Sequence, residues 1–196
     1  MSKIIGPKTK RRLPTFAKVD EISQDKTNEL FSEGFEGVRD RLIFELFYQT
    51  GIRLSELIGI KNNDVVNGTL KVLGKRNKER LIPISNELMS QILSFKKSKE
   101  IYGIESEVLI TLNNGKKLYP KFVYRRINYY LGFATNLEKC SPHVLRHTFA
   151  THMLNNGAGL ETLKDILGHA SLAATQVYTH NSFAQLNSIY SQAHPR

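Results

Sequence analysis

The stretch from Asp64 to Ile84, DVVNGTLKVLGKRNKERLIPI, constrains the fold more than any other part of the sequence. Asn67-Gly68 is the dipeptide most typical of a two-residue hairpin turn. The segment GKRNKER is polar and basic, so we expect it to form a hairpin tip between two further strands. The stretch therefore predicts a small three-stranded antiparallel sheet, with strand residues Leu70, Val72, Leu81, Ile82 and Ile84.

Apolar residues elsewhere in the chain recur at helical spacing. Val38, Leu42 and Leu46 share one face of a helix that we expect to end at Gly51, because glycine favours the conformation that closes helices. From Ser141, a good N-cap residue, the chain is predicted to be all helical. The fold class is therefore mainly α with one small three-stranded antiparallel sheet. We expect helices over 18–31, 37–51, 53–60, 86–101, 121–134, 141–157, 160–168, 171–178 and 182–193, and a short strand and turn over 107–120.

Length and charge restrict the class of protein. The 196 residues suffice for one domain with a sizeable core, and the formal net charge is +10. That charge favours a polyanionic partner, nucleic acid before an anionic membrane surface. A single cysteine, Cys140, excludes an internal disulfide and a four-cysteine zinc site, and it fits a reducing compartment.

The first residues, MSKIIGPKTKRRLP, are basic and rich in proline. They lack the apolar segment of a secretory signal, and no apolar run approaches the about 18 residues that span a membrane. We interpret residues 1–14 as an interdomain linker remnant that precedes one domain over residues 15–196. The chain is therefore expected to be either a domain cut from a longer protein or a naturally short protein.

The segment SPHVLRHTFATHMLNNG concentrates three of the six histidines on one predicted helix. His143 and His147 have the spacing of a zinc pair, but Val144 stands where such a helix carries glutamate, and Arg146 would repel a cation. A second interpretation is that the histidines only pack, cap or face water. In a third, His143 and Arg146 bind a phosphate at the helix N-terminus, where free N–H groups and a guanidinium favour anions.

Three further motifs favour phosphate chemistry. TGIRLSEL places Arg53 at a helix start, LGKRNKERLIPI places Lys75 on the basic hairpin tip, and LGHASLAATQVYTH places His169 nine residues before Tyr178. With SPHVLRH and the ending AHPR, this ordered set resembles the catalytic domain of the tyrosine recombinases, the lambda-integrase-like family. Within that family the sequence is most similar to the bacterial Xer recombinases.

The resemblance implies the family's DNA breaking-rejoining fold and a strand transfer that needs no metal, ATP or other cofactor. It assigns Tyr178 to attack on the scissile phosphate, which forms a 3′-phosphotyrosine bond and frees a 5′-hydroxyl. Lys75 would protonate the departing 5′-oxygen, and His143 would help to remove the tyrosine proton. Extra negative charge on the phosphate oxygens must be stabilised by fixed donors.

That stabilising set is assigned by the resemblance to Arg53 and Arg146, with His169 as a further donor and Glu56 as the acidic residue that orients the site. A larger set of basic residues is expected to contact DNA. These residues are Arg76, Lys78, Arg80, Lys121, Arg125 and Arg126.

The resemblance also implies partners and a location. Double-stranded DNA would be the substrate, acted on by a tetramer of this protein or with a paralogous recombinase, and a DNA-translocating division ATPase is a further expected partner. The isolated domain is expected to be a monomer in the bacterial cytoplasm, at the nucleoid. The apolar stripe Phe183, Leu186, Tyr190 and Ala193 would belong to a C-terminal exchange helix over 182–193, which docks into a neighbouring copy or folds back. The family usually has an N-terminal core-binding domain, and we expect this sequence to lack it.

Four functions are compatible with these residues. The favoured one is site-specific recombination of the Xer type, which resolves chromosome dimers. The alternative is integration of a phage or mobile element by the same chemistry. Relaxation of DNA by a type IB topoisomerase-like activity and non-catalytic DNA binding are less favoured, the last because every catalytic position is filled.

Overall fold

Helices and one small sheet make up the residues that the computed structural model describes, which are 15–74, 78–168 and 180–195, without the side chains of 180–185. The predicted class, mainly α with a three-stranded antiparallel sheet, is confirmed. The elements in chain order are α1 (Gln24–Leu30), α2 (Gly34–Thr50), α3 (Leu54–Gly59), β1 (Val65–Val66), β2 (Thr69–Leu73), β3 (Glu79–Pro83), α4 (Asn86–Ile101), α5 (Pro120–Ala134), α6 (Pro142–Asn155), α7 (Leu160–Leu167) and α8 (His180–Ala193).

The sheet has the order β1-β2-β3, and both pairs of strands are antiparallel. Asn67 and Gly68 join β1 to β2 with φ values of 48° and 74°, as a two-residue hairpin turn requires. Side chains alternate between the two faces of a strand. Leu70 and Val72 of β2 are buried, and the register pairs Val72 with Arg80 of β3. The inner face of the sheet therefore contains an arginine.

Helix α2 lies at the centre of the fold, between α4, α5 and α6. The predicted stop at Gly51 is confirmed, because Gly51 has a φ of 60° and donates its N–H to Phe47 O at 3.0 Å. Leu42 and Leu46 of the predicted apolar face are buried. Glu45 and Gln49 are also fully buried, and Gln49 donates to Glu45 at 2.9 Å. Helices pack on several sides of α2, so its polar residues are paired inside the core.

Two segments differ from the expected secondary structure. The first helix starts only at Gln24, because the chain before it is tied down as an irregular segment, with Ala17 N–H donating to Thr148 Oγ1 at 3.0 Å. Residues 107–120 form isolated bridges, Lys61 to Val108 and Thr111 to Lys117, rather than a strand. Residues 171–178 lie outside the described range, so the short helix predicted there is not tested.

The end of the chain folds back onto its own domain. Leu186, Tyr190 and Ala193 of α8 are buried, as the predicted stripe requires, whereas the side chain of Phe183 is outside the described set. The Tyr190 hydroxyl donates to Gln49 O at 3.0 Å. This arrangement is the folded-back alternative for the C-terminal helix. Among the described residues, no helix combines the length and the apolar character that a membrane span requires.

Candidate active site

Arg53 lies between α2 and α3, directly after the turn that Gly51 closes. A side chain at Gly51 would meet Phe149 at 2.5 Å, so this close turn requires glycine. The Arg53 N–H donates to Glu56 Oε2 at 2.8 Å, and its Nη1 donates to Glu56 Oε1 at 2.8 Å. The Arg53 side chain is 31% exposed. Arg53 is therefore a fixed cation that still reaches the surface.

Glu56 is a buried carboxylate shared by two arginines. Besides Arg53, it accepts two parallel hydrogen bonds from Arg80, Nη1 to Oε1 at 2.9 Å and Nη2 to Oε2 at 2.8 Å. Burial raises the pKa of Glu56, but the hydrogen bonds and positive charge of Arg80 and the hydrogen bonds of Arg53 outweigh it and lower the pKa to about 2. Glu56 therefore stays ionised and holds both guanidinium groups in place.

The low pKa of Glu56 predicts a pH-dependent stability difference between the protein and its Glu56→Gln variant. A carboxyl group whose pKa is lower in the folded than in the unfolded protein stabilises the fold at pH values above its ordinary pKa of 4.5. This stabilisation is lost as the pH falls toward about 2. We expect Glu56→Gln to lower the free energy of unfolding by about 2 kcal/mol at pH 7 and by less at pH 3. Urea unfolding at both pH values measures this. The control Glu100→Gln, at an exposed position, should have nearly the same free energy of unfolding as the unsubstituted protein at either pH. A loss of stability in Glu56→Gln that is equal at the two pH values would contradict the low pKa of Glu56.

Arg146 projects from the first turns of α6 into the interior and is 7% exposed. Its Nη1 donates to Gly51 O, and its Nη2 donates to Leu167 O at 2.8 Å. Burial, and then the charge of Arg53, lower the pKa of Arg146 to about 10, although Glu56 acts in the opposite direction. The guanidinium therefore remains protonated at neutral pH.

Three arginines meet at the C-terminal end of α7. Arg80 Nε donates to Ile166 O at 2.7 Å, Arg146 Nη2 to Leu167 O at 2.8 Å and Arg53 Nη2 to Gly168 O at 3.1 Å. The last carbonyls of a helix lack partners within the helix and carry partial negative charge, so cations stabilise them. The structure thereby brings together Arg53 and Arg146, which come from distant parts of the chain, and Glu56 of α3 is hydrogen-bonded to Arg53.

His143 is exposed in the first turn of α6, and Arg146 in the same helix is directed inward. His147 is half-buried against Phe16, with ring centroids 6.3 Å apart. Burial, and then the charge of His143, lower the pKa of His147. Within the described ranges, no three His, Cys, Asp or Glu side chains converge as metal ligands would.

Four of the predicted site residues, Lys75, Arg76, His169 and Tyr178, lie outside the described residues. The described chain stops at Gly74 and resumes at Lys78, which is exposed, and it stops again at Gly168. Their roles therefore stay predictions that come from the sequence.

The predicted DNA-contacting residues fall into two groups. Lys78, Lys121 and Arg125 are exposed. Arg126 is engaged within the protein, since its Nε donates to the buried Asp40 at 2.6 Å and its Nη2 donates to Tyr130 Oη at 2.7 Å. Arg126 therefore ties α5 to α2.

The assignment of Arg80 to DNA contact needs correction. Arg80 is 6% exposed, and its three hydrogen bonds go to Glu56 and Ile166 O. The alternation of side chains along a strand is the signal that could have placed Arg80 inside. Ile82 and Ile84 follow it at two-residue intervals and are therefore expected on the same face as Arg80. In a segment with four basic residues, GKRNKER, charge alone suggests a surface role instead.

The profile of the Phage integrase family matches residues 20–185 of this sequence. Among curated proteins, the tyrosine recombinase XerC of Chlorobaculum parvum is 37% identical over 220 aligned positions, which cover 100% of this chain and 65% of that protein. The tyrosine recombinase XerD of Staphylococcus haemolyticus is 39% identical, with 97% and 66% covered. This chain thus spans just under two thirds of the length of such relatives.

Solved structures show the same fold. The XerH site-specific recombinase bound to a palindromic difH substrate, in a post-cleavage complex, superimposes with a TM-score of 0.73 at 26% identity. The match covers 92% of this chain and 53% of the XerH chain.

Proposed function

The chain belongs to the phage integrase family of tyrosine recombinases, and from this membership we propose that it cleaves and rejoins double-stranded DNA through a 3′-phosphotyrosine intermediate. The single observation that carries the proposal is the pairing of Arg53 and Arg146 at the end of α7. Each guanidinium is held by backbone carbonyls, and Arg53 also by Glu56, so both cations are preorganised. Preorganised donors stabilise the charge that develops on a phosphate in the transition state.

The remaining roles follow from the chemistry of the strand transfer. The Tyr178 oxygen attacks phosphorus, the bond from phosphorus to the 5′-oxygen breaks, and that oxygen takes a proton from Lys75. His143, exposed in the first turn of α6, helps to accept the tyrosine proton, and His169 adds a further donor to the phosphate. The covalent bond retains the phosphodiester energy until another 5′-hydroxyl attacks in reverse.

The Xer type of recombination is favoured over integration of a mobile element. Curated relatives named XerC and XerD are 37% and 39% identical to this chain over almost its whole length. The XerH structure contains the DNA site on which that recombinase acts. We therefore assign the protein to chromosome dimer resolution, with integration of a phage or mobile element as the alternative.

DNA is the partner best supported by the charges and by the likeness to XerH bound to difH. The exposed cations of the hairpin and α5, Lys78, Lys121 and Arg125, would contact phosphates, and such contacts make binding weaken as salt rises. We propose assembly as a tetramer, or with a paralogous recombinase, on two duplexes at the bacterial nucleoid. α8 would then move from its own domain to a neighbouring copy, and a DNA-translocating ATPase would be a regulatory partner.

A nicked duplex whose short cleaved fragment can diffuse away tests the proposed reaction. We expect a protein–DNA adduct on a denaturing gel when the label is on the strand that ends in the 3′-phosphate, together with release of a free 5′-hydroxyl fragment. The yield should not change with a chelator, because the proposed chemistry uses only side chains. Cleavage without an adduct would point to hydrolysis, and loss of the adduct with a chelator would point to a metal site.

A further inference from the structure

Arg80 lies where three parts of the proposed site come together. It pairs with Val72 in the β2–β3 register, so its side chain points to the inner face of the sheet. Its two Nη atoms donate to the two Glu56 oxygens, and its Nε donates to Ile166 O of α7. One buried side chain therefore connects the hairpin, α3 and α7.

Two glycines pack directly against this side chain. A Cβ at Gly168 would lie 3.1 Å from Arg80 Nη1 and 3.2 Å from its Cδ, and the φ of Gly168 is +62°. A Cβ at Gly74 would lie 3.3 Å from Lys78 O, 3.4 Å from Arg80 Nη1 and 3.7 Å from Glu56 Oε1. The distances at Gly168 are tighter than ordinary side-chain contacts, and its left-handed φ also favours glycine, so this backbone packs closely on the guanidinium. At Gly74 only the approach to Lys78 O is tight, and the distance to Arg80 is an ordinary van der Waals contact.

These glycines directly precede two of the three proposed catalytic residues in the undescribed segments, Lys75 and His169. Both glycines are also held by hydrogen bonds from their own amides. Gly74 N–H donates to Lys78 O at 2.8 Å, and Gly168 N–H donates to Asp165 O at 3.1 Å. The described chain therefore contacts Arg80 at the position before each of these two residues.

We propose that Arg80 is a positioning residue: it fixes the backbones of Gly74 and Gly168 beside Glu56, and the general-acid step of the proposed strand transfer depends on these fixed backbones. The catalytic part of this inference rests on the proposed strand transfer. The packing part does not, because it concerns Gly74 and Gly168 in the free protein.

The packing part is tested by amide hydrogen exchange in Arg80→Lys without DNA. Lysine retains the charge but has no planar fork, so it cannot bridge both Glu56 oxygens and Ile166 O. We expect exchange at Gly74 and Gly168 to rise at least about tenfold, with Leu46 in α2 changed less than about twofold. Arg39→Lys is the matched control, because Arg39 is 2% exposed and paired to Asp40, and it should leave both glycines unchanged. Unchanged exchange at the glycines in Arg80→Lys would overturn the proposal whatever the activity of the protein.

The catalytic part is tested by single-turnover cleavage of the nicked duplex, with oxygen or sulfur at the bridging 5′ position. A thiolate leaves without protonation, so the sulfur substrate bypasses the general acid. We measure Arg80→Lys well below its unfolding temperature and expect it to cleave the oxygen substrate about 10–100-fold more slowly than the unsubstituted protein. On the sulfur substrate its deficit relative to the unsubstituted protein should be smaller by at least about tenfold. Arg39→Lys should show the native ratio of sulfur to oxygen rates.

Equal losses on the two substrates, or no loss in a folded variant, would overturn the catalytic part. If Arg80→Lys does not fold, Gly168→Ala perturbs the same contact without removing a buried charge, because a Cβ there would lie 3.1 Å from Arg80 Nη1. Faster exchange at Gly74 and the same sulfur result are expected of it. Failure of the proposed function has a different signature, since the unsubstituted protein would then form no adduct on either substrate while the exchange result could still hold.

Discussion

Tyr178→Phe is expected to abolish the covalent protein–DNA adduct, with a loss of at least about 10⁴-fold in the cleavage rate. Phenylalanine keeps the aromatic ring and removes only the hydroxyl that would attack phosphorus. DNA binding should stay within about threefold of the native affinity, because the cations that contact phosphates are retained. Denaturing gels of the nicked-duplex reaction measure the adduct, and fluorescence anisotropy measures binding.

Tyr102→Phe is the matched control for this substitution. Tyr102 is 57% exposed and packs its ring on Phe35 with centroids 5.3 Å apart, which phenylalanine can also do. We expect its adduct yield to equal that of the unsubstituted protein. An adduct that persists in Tyr178→Phe would mean that another side chain is the nucleophile.

Arg146→Ala is expected to reduce both cleavage and stability. The cleavage rate should fall by about 10²–10³-fold, the usual effect of removing one preorganised donor from a charged transition state. The free energy of unfolding should fall by about 2–4 kcal/mol, because the carbonyls of Gly51 and Leu167 lose a buried charged donor. Arg146→Lys should not restore either property fully, since one ammonium cannot bridge both carbonyls in the same planar geometry.

Arg53→Ala separates the two effects of an arginine at this site. Its side chain is 31% exposed, so water can replace part of what it donates to Gly168 O and Glu56. We expect a comparable loss of cleavage rate but a smaller loss of stability than in Arg146→Ala. Urea unfolding and single-turnover cleavage, performed where each variant is folded, measure the two. A folded Arg146→Ala variant that cleaves at the native rate would remove Arg146 from the proposed clamp.

The secondary structure was largely predictable because its signals are local. The turn at Asn67-Gly68 and the helix stop at Gly51 depend on conformations that few residues adopt, so single residues predict them. Helical spacing likewise predicted α4, α5 and α7 closely. The burial of Glu45 and Gln49 was not predictable in this way, because it depends on which helices pack around α2.

The candidate site was predictable in its residue types but not in its connections. The motifs containing Arg53 and Arg146 indicated phosphate chemistry because the ordered set to which they belong resembles that of the tyrosine recombinases. The carbonyls that fix these arginines belong to Gly51, Leu167 and Gly168, and no side chain at those positions signals that role.

By itself, the amino-acid sequence predicted most of the elements and their order and indicated phosphate chemistry, because turn residues, periodicity and charged motifs act over a few neighbouring positions. Only the tertiary structure decided that Arg80 is an interior residue and that the last three carbonyls around the end of α7 each receive one arginine. The physical reason is that a cation's partner is set by distance in space. Arg80 and Ile166 are 86 positions apart in the chain, yet 2.7 Å separates their bonded atoms.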